Sequence, residues 1–214
     1  MQSRPLPAVS IVLPIYDRAA TLGRAIRSVQ AQVWTDWELV VVDDGSRDGS
    51  GDLAAHLAAA DARIVVLCRP HAGLHRSRNA AIAASRAPIV TFLDSDDYYG
   101  GEHLTPSLTY LAAHPEVDMV YGYATILGDP YVRDARDPSR RIHIDDCTQP
   151  GTVFVRRATL DAIGGYPADD YAGDYLLTER VRAAGFVLHR LPGRTYVYDR
   201  TGSDSITKNF DRTP

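Results

Sequence analysis

Short apolar, β-branched runs that break abruptly into clusters of Asp, Gly and Ser constrain the fold of this chain more than any other feature. Residues 9–13 form such a run, closed by Pro14, too short to bury a helical face and so read as a buried strand. In 19–33 the apolar positions Ala19, Leu22, Ala25, Ile26 and Val29 recur at helical spacing, with Arg18, Arg24 and Arg27 between them. Residues 38–42 are apolar on both faces and end in Asp43-Asp44-Gly45-Ser46, turn chemistry directly after a strand. The alternation repeats as helix 48–60, strand 63–67, helix 73–85 and strand 88–93, which predicts a mostly parallel sheet covered by helices on both faces.

The pattern weakens after Gly128. Residues 129–149 are rich in Asp, Arg and Pro and read as a long irregular connection that is functional or hides short strands. Beyond it the sequence predicts a strand at 152–155, a helix at 158–163, a turn at Gly164-Gly165, a helix at 173–184, and short strands near 186–189 and 195–198. With 214 residues the chain can bury roughly 70% of its unfolded surface, so one domain is expected over 1–214. Lys and Arg number 23 against 27 Asp and Glu, a net charge of −4, which gives no cationic field for nucleic acid. Cys68 and Cys147, without metal-ligand spacing, read as reduced core thiols. No signal peptide and no run of about 18 apolar residues is visible, so a cytoplasmic protein without a transmembrane segment is expected, free to lie peripherally on a membrane.

In an open α/β sheet ligands bind beyond the carboxyl ends of the strands. Three polar clusters fall there: Pro14-Ile15-Tyr16-Asp17, Asp43-Asp44-Gly45-Ser46 and Asp94-Ser95-Asp96-Asp97. Asp94, Asp96 and Asp97 repel one another unless protonation or a cation relieves them, and a hard divalent ion completed by phosphate oxygens is one remedy. The other reading is a helix cap at Ser95 or Asp96 with the remaining carboxylates solvated. Asp44 and its turn also fit an ordinary strand-to-helix connection, Tyr16 a half-buried aromatic, and Arg76 and Arg78 a solvated helix face. No P-loop, Gly-x-Gly-x-x-Gly, His-Glu-x-x-His or Gly-x-Ser-x-Gly pattern occurs.

In order, Val9-Ser10-Ile11-Val12-Leu13-Pro14-Ile15-Tyr16-Asp17, Trp37-Glu38-Leu39-Val40-Val41-Val42-Asp43-Asp44-Gly45-Ser46, Ser77-Arg78-Asn79-Ala80-Ala81-Ile82 and Phe92-Leu93-Asp94-Ser95-Asp96-Asp97 resemble the inverting glycosyltransferases of family 2. That family has the nucleotide-sugar-binding GT-A fold. The likeness is close from Val9 to Tyr98, and looser beyond, through Gly164-Gly165-Tyr166 and 174–185. It implies a nucleotide-binding half, 1–98, and an acceptor and catalytic half, 99–214. It further implies that Pro14, Tyr16, Asp17, Asp44, Arg78, Asp94, Ser95 and Asp96 hold the nucleotide. Tyr16 would stack on the base, Asp44 accept a base N–H, and Arg78 sit near the diphosphate. Asp96 and Asp97 would hold Mn²⁺ or Mg²⁺.

An inverting transfer needs a base opposite the leaving group. The matching place in the family is Asp174, at the start of a helix, where Gly173 replaces a common Glu and where a carboxylate could also merely face the helix dipole. Asp169 and Asp170 are substitutes if the register shifts. Arg200, in a Ser-rich loop with no His, is the candidate diphosphate cation. The chain ends at Pro214 and lacks the Gln-x-x-Arg-Trp processivity motif, so transfer of single sugars is expected. The donor would be a nucleoside diphosphate sugar, a UDP-sugar first, and the acceptor a hydroxyl of a sugar, lipid-linked sugar or small molecule. The alternative is a catalytically degenerate nucleotide-sugar binding module. A nucleotidyltransferase ranks lower, since no Gly-rich loop follows the first strand. The pocket walls that choose the sugar are expected partly from residues 128–150.

Overall fold

The structure, a computed structural model, describes residues 5–134, 136–137, 139–168 and 172–202. The first half builds β1 (Val9–Ile15), α1 (Ala19–Gln30), β2 (Trp37–Asp43), α2 (Ser50–Ala60), β3 (Ile64–Cys68), α3 (Leu74–Ala84) and β4 (Ile89–Phe92). All seven elements fall where the periodicity predicts them. β5 (Tyr98–Tyr99), α4 (Leu104–Ala113), β6 (Met119–Tyr121) and β7 (Ala124–Leu127) follow, in a stretch where the sequence reading separated no elements.

The stretch read as irregular contains a β-hairpin, β8 (Tyr131–Arg133) with β9 (Arg141–His143), and two single 3-10 turns. Then come β10 (Phe154–Arg156), α5 (Arg157–Ala162), α6 (Gly173–Ala183), β11 (Leu188–Arg190) and β12 (Tyr196–Asp199).

Seven strands form one sheet in the order β11-β6-β10-β4-β1-β2-β3. β1 pairs in parallel with β2 and β4, and β2 with β3; β10 runs antiparallel between β4 and β6. Both halves of the chain therefore contribute to a single sheet. β1 and β2 are buried along their whole length, as continuous apolar runs require when helices cover both faces. One face packs Ile11, Leu13 and Leu39 against Leu22 and Ile26 of α1, Ala54 of α2 and Leu108 of α4. The other packs Val12, Val40 and Phe92 against Ile82 of α3, Leu160 of α5 and Leu177 and Val181 of α6. Each such aliphatic side chain contributes roughly 1.5–3 kcal/mol by leaving water.

A second sheet, β5-β12-β7, lies beyond the acidic turn and ties it down. The two cysteines depart from their expected place. Cys68 ends the outermost strand β3 and is exposed, and Cys147 is half-buried; both are free thiols. Among the described residues no helix is long and apolar enough to cross a membrane.

Candidate active site

The carboxyl ends of β1 and β4, the start of α6 and the 131–150 segment enclose a cleft of about 440 Å³. Pro14, Arg78, Asp94, Ser95, Asp96 and Asp174 line it together, although Asp94 and Asp174 are far apart in sequence. Its far wall includes Val132, Arg133, Ile142 and Thr148, so residues 128–150 do build part of the pocket.

Arg78 is the centre of the arrangement. Its place on α3 suggested a solvated helix face, yet it is only 3% exposed. One terminal nitrogen donates to Asp94 Oδ1 at 2.6 Å. The other donates to Tyr166 Oη at 2.5 Å and to Asp174 Oδ1 at 3.2 Å. The Tyr166 hydroxyl itself donates to Asp174 Oδ1. Arg78's charge is thus matched by two carboxylates, one from each half of the chain; burial alone would lower its pKa, and the neighbouring Tyr166, Asp94 and Asp174 outweigh that and hold it above the usual arginine range. Burial pushes Asp174 up to about 6, helped by the nearby Asp94, while Arg78 and the Tyr166 hydrogen bond pull the other way.

The three clustered aspartates occupy three environments. Asp94 lines the cleft and is salt-bridged to Arg78. Asp96 also lines it, raised to about 6 by burial first and by Asp94 second. No helix begins at this turn; β5 follows, so the capping alternative does not apply. Asp97, the other expected metal ligand, is not among the residues lining the cleft; it is 1% exposed and accepts the Tyr196 hydroxyl and the Asp199 backbone N–H, the latter at 2.8 Å. Arg24 completes the support, donating to the Asp96 carbonyl at 2.5 Å and to Asp199 Oδ2 at 2.7 Å. Arg24, Asp199 and Tyr196 are supports of the acidic turn that sequence reasoning missed, because the pairing of β12 with β5 brings Tyr196 and Asp199 there and Arg24 reaches it from α1.

Tyr16, Asp17 and Asp44 do not line the cleft; they form a neighbouring shelf at the ends of β1 and β2. Tyr16, 41% exposed, packs its ring on His71 with centroids 4.2 Å apart. Asp44 is buried and accepts the backbone N–H groups of Ala72 and Gly73, each at 2.9 Å, with His71 Nδ1 also at 2.9 Å. Its carboxylate shapes the β3–α3 loop. Asp17 adopts φ 51°, a rare backbone state for a residue other than glycine, and accepts the Arg47 N–H at 2.7 Å.

Arg200, the candidate diphosphate cation, is not among the residues lining the cleft; it is 2% exposed and donates to the carbonyls of Asp129 and Tyr131 at 2.8 and 2.5 Å, fastening the hairpin. Asp169, Asp170 and the Ser-rich segment after Gly202 lie outside the described residues.

The sequence model of the family described as Glycosyl transferase family 2 matches residues 10–162. The chain belongs to that family. Among curated relatives, the uncharacterized glycosyltransferase EpsJ of Bacillus subtilis is 36% identical over 115 residues, 54% of this chain and 33% of EpsJ. Glycosyltransferase AglE of Haloferax volcanii is 25% identical over 209 residues, 92% of this chain and 66% of AglE. The chain thus spans about a third of EpsJ. In three dimensions it resembles S. aureus TarS 1-349 in complex with UDP-GlcNAc, with TM-score 0.77 and 19% identity over 96% of this chain and 61% of that one. It also resembles the mannosyltransferase PcManGT from Pyrobaculum calidifontis in complex with GDP-Man and Mn²⁺, with TM-score 0.72 and 21% identity over 91% and 57%. The α/β architecture of this family 2 chain is therefore the GT-A fold of those enzymes.

Proposed function

We propose that this family 2 chain transfers a single sugar, with inversion, from a nucleoside diphosphate sugar to an acceptor hydroxyl. A UDP-sugar is the first donor to test, and the acceptor is a sugar, a lipid-linked sugar or a small molecule. The observation that carries this reading is that Asp94 and Asp96 from one half and Asp174 from the other line a single cleft. Tyr16 with His71 offers the ring surface for the base, and Pro14, Asp94 and Ser95 border the nucleotide.

In the transfer, the acceptor oxygen attacks C1 of the donor sugar on the face opposite the diphosphate. The C1–O bond breaks, the diphosphate leaves with the electron pair, and the acceptor proton passes to Asp174. The residues present fit a divalent cation: Asp96 lines the cleft and carries a carboxylate that burial and Asp94 make reluctant to ionise alone. Such an ion keeps waters and phosphate oxygens as most of its ligands, so one or two carboxylates suffice. Bound there, Mn²⁺ or Mg²⁺ supplies Lewis-acid stabilisation of the charge on the leaving diphosphate.

The degenerate-module alternative draws on Gly173 and on the lack of a His in the C-terminal loop, and packing gives Gly173 another reason. A Cβ there would lie 2.8 Å from Tyr166 Cε1, so a larger residue would displace the tyrosine. Titration calorimetry with UDP, GDP and dTDP, with and without Mn²⁺, tests the proposal. One nucleotide should bind more tightly with metal, Asp96→Ala should abolish that enhancement, and Asp174→Asn should bind nucleotide but lose about 10²–10⁴-fold in transfer. Binding by none, or full turnover by Asp174→Asn, would overturn it.

A further inference from the structure

Two sequence signals remain without a role in the chemistry above: Asn79, which follows Arg78, and the Gly164-Gly165-Tyr166 turn. They meet in space. Asn79 Nδ2 donates to the Tyr166 carbonyl at 2.9 Å, and its Oδ1 accepts the Tyr166 N–H at 2.8 Å. Gly165 has φ +85°, and a Cβ on it would come within 2.6 Å of Asn79 Oδ1, so the turn is shaped to receive this clamp. With its backbone held, the Tyr166 ring is wholly buried, edge-on to Phe92 at 5.3 Å and beneath the Arg78 guanidinium at 4.7 Å. Its hydroxyl then ends at Asp174, with Gly173 leaving room for the ring.

Both side-chain contacts to the Asp174 carboxylate, from Tyr166 Oη and from Arg78, fall on the same oxygen, Oδ1. We propose that Tyr166 and Arg78 are positioning residues that hold Asp174 by Oδ1 and so present Oδ2 to the acceptor hydroxyl. The proposal rests on the reading of Asp174 as the base. A base held through one oxygen keeps a fixed syn or anti lone pair toward its substrate instead of rotating about χ2, which is what orientation contributes to proton transfer. Tyr166 is a lasting donor in this role, since burial holds its hydroxyl protonated well beyond the usual tyrosine range. Arg78 spans from the acidic turn to the base, tying Asp94 to Asp174 through one planar fork.

Tyr166→Phe removes one oxygen and leaves the ring packing. Donor hydrolysis of UDP-GlcNAc and GDP-mannose needs no acceptor and measures the variant against the wild type. The expected result is a fall in kcat of about 10- to 100-fold with the donor KM within about twofold, the effect of losing a group that orients another. Arg78→Lys should fall further, since an ammonium cannot fork to two carboxylates. An unchanged kcat, or a raised KM with kcat intact, would overturn the proposal.

A second measurement needs no turnover: the ¹³C resonance of the Asp174 carboxyl, titrated in both proteins. The groups facing it are Arg78 from α3, Asp94 beyond β4, Cys147 from the far wall and Tyr166 itself. Only the last changes, so loss of its hydrogen bond should raise the Asp174 midpoint, and an unmoved midpoint would overturn the contact. Asp174→Asn that hydrolyses donor as fast as the wild type, with a Tyr166→Phe midpoint that does shift, would instead overturn the base assignment and leave the contact standing.

Discussion

Asp94, Asp96 and Asp97 stand within four residues, and their different surroundings divide their work. Asp97 is enclosed, and burial with two neighbouring carboxylates drives its pKa well above the ordinary value. It therefore needs hydrogen-bonding partners more than it needs charge. Asp97→Asn should cost less than about 1 kcal/mol, because an amide keeps the Asp199 N–H contact and can donate to Tyr196, while Asp97→Ala should cost about 3 kcal/mol by orphaning buried groups. Urea denaturation of the two variants checks this. Asp174 makes the opposite demand, since it must ionise to accept a proton. With its pKa at about 6, kcat/KM for transfer should rise about tenfold per pH unit below 6 and level off above it. Asp96, also at about 6, must ionise to hold metal, so metal affinity should fall over the same acid range. A flat rate profile between pH 4.5 and 7 would contradict both assignments.

The elements that periodicity placed well are those whose apolar residues face one partner, such as α1 with Leu22, Ala25, Ile26 and Val29 buried in a row. The strands it missed have physical reasons to be silent. β5 to β9 are two to four residues long, too short to show alternation, whereas α4 does carry Leu104, Leu108 and Leu111 at helical spacing on its buried face, a signal the sequence reading passed over. The strand-end clusters of the site were legible because turn chemistry after an apolar run is local. Arg78 came into the site only through the family resemblance, and its burial was not legible, because that depends on Tyr166 and Asp174, 88 and 96 residues away. The contact between α3 and the turn before α6 is similarly nonlocal, and Asn79 carries it through two backbone hydrogen bonds. Asn79→Ala should destabilise the protein by about 2 kcal/mol, since both Tyr166 backbone groups lose their partner in a partly buried place. The change in urea midpoint, at constant m-value, measures it.

At the scale of the molecule, the cleft has one wall made by strand ends and another made by the 131–150 segment, which Arg200 fastens through the Asp129 and Tyr131 carbonyls. The two thiols report on these regions separately. Cys68 sits exposed at the end of the edge strand, whereas Cys147 lines the cleft, where burial and the carboxylates of Asp146, Asp134 and Asp174 push its pKa up to about 11. Relative to an unperturbed thiol near 9, that lowers its thiolate fraction at pH 8 by about 100-fold, and the thiolate is the species that attacks a disulfide reagent. A colorimetric disulfide titration at pH 8 should therefore show one prompt thiol, the exposed Cys68, and a second slower by about 10-fold, since the higher pKa that makes the Cys147 thiolate scarce also makes it more nucleophilic, with Cys68→Ser removing the prompt phase. A ligand that fills the cleft should slow the second phase further without touching the first. Equal rates for both thiols would mean that the far wall opens freely to solvent, and a cleft that opens so readily could not exclude water during transfer.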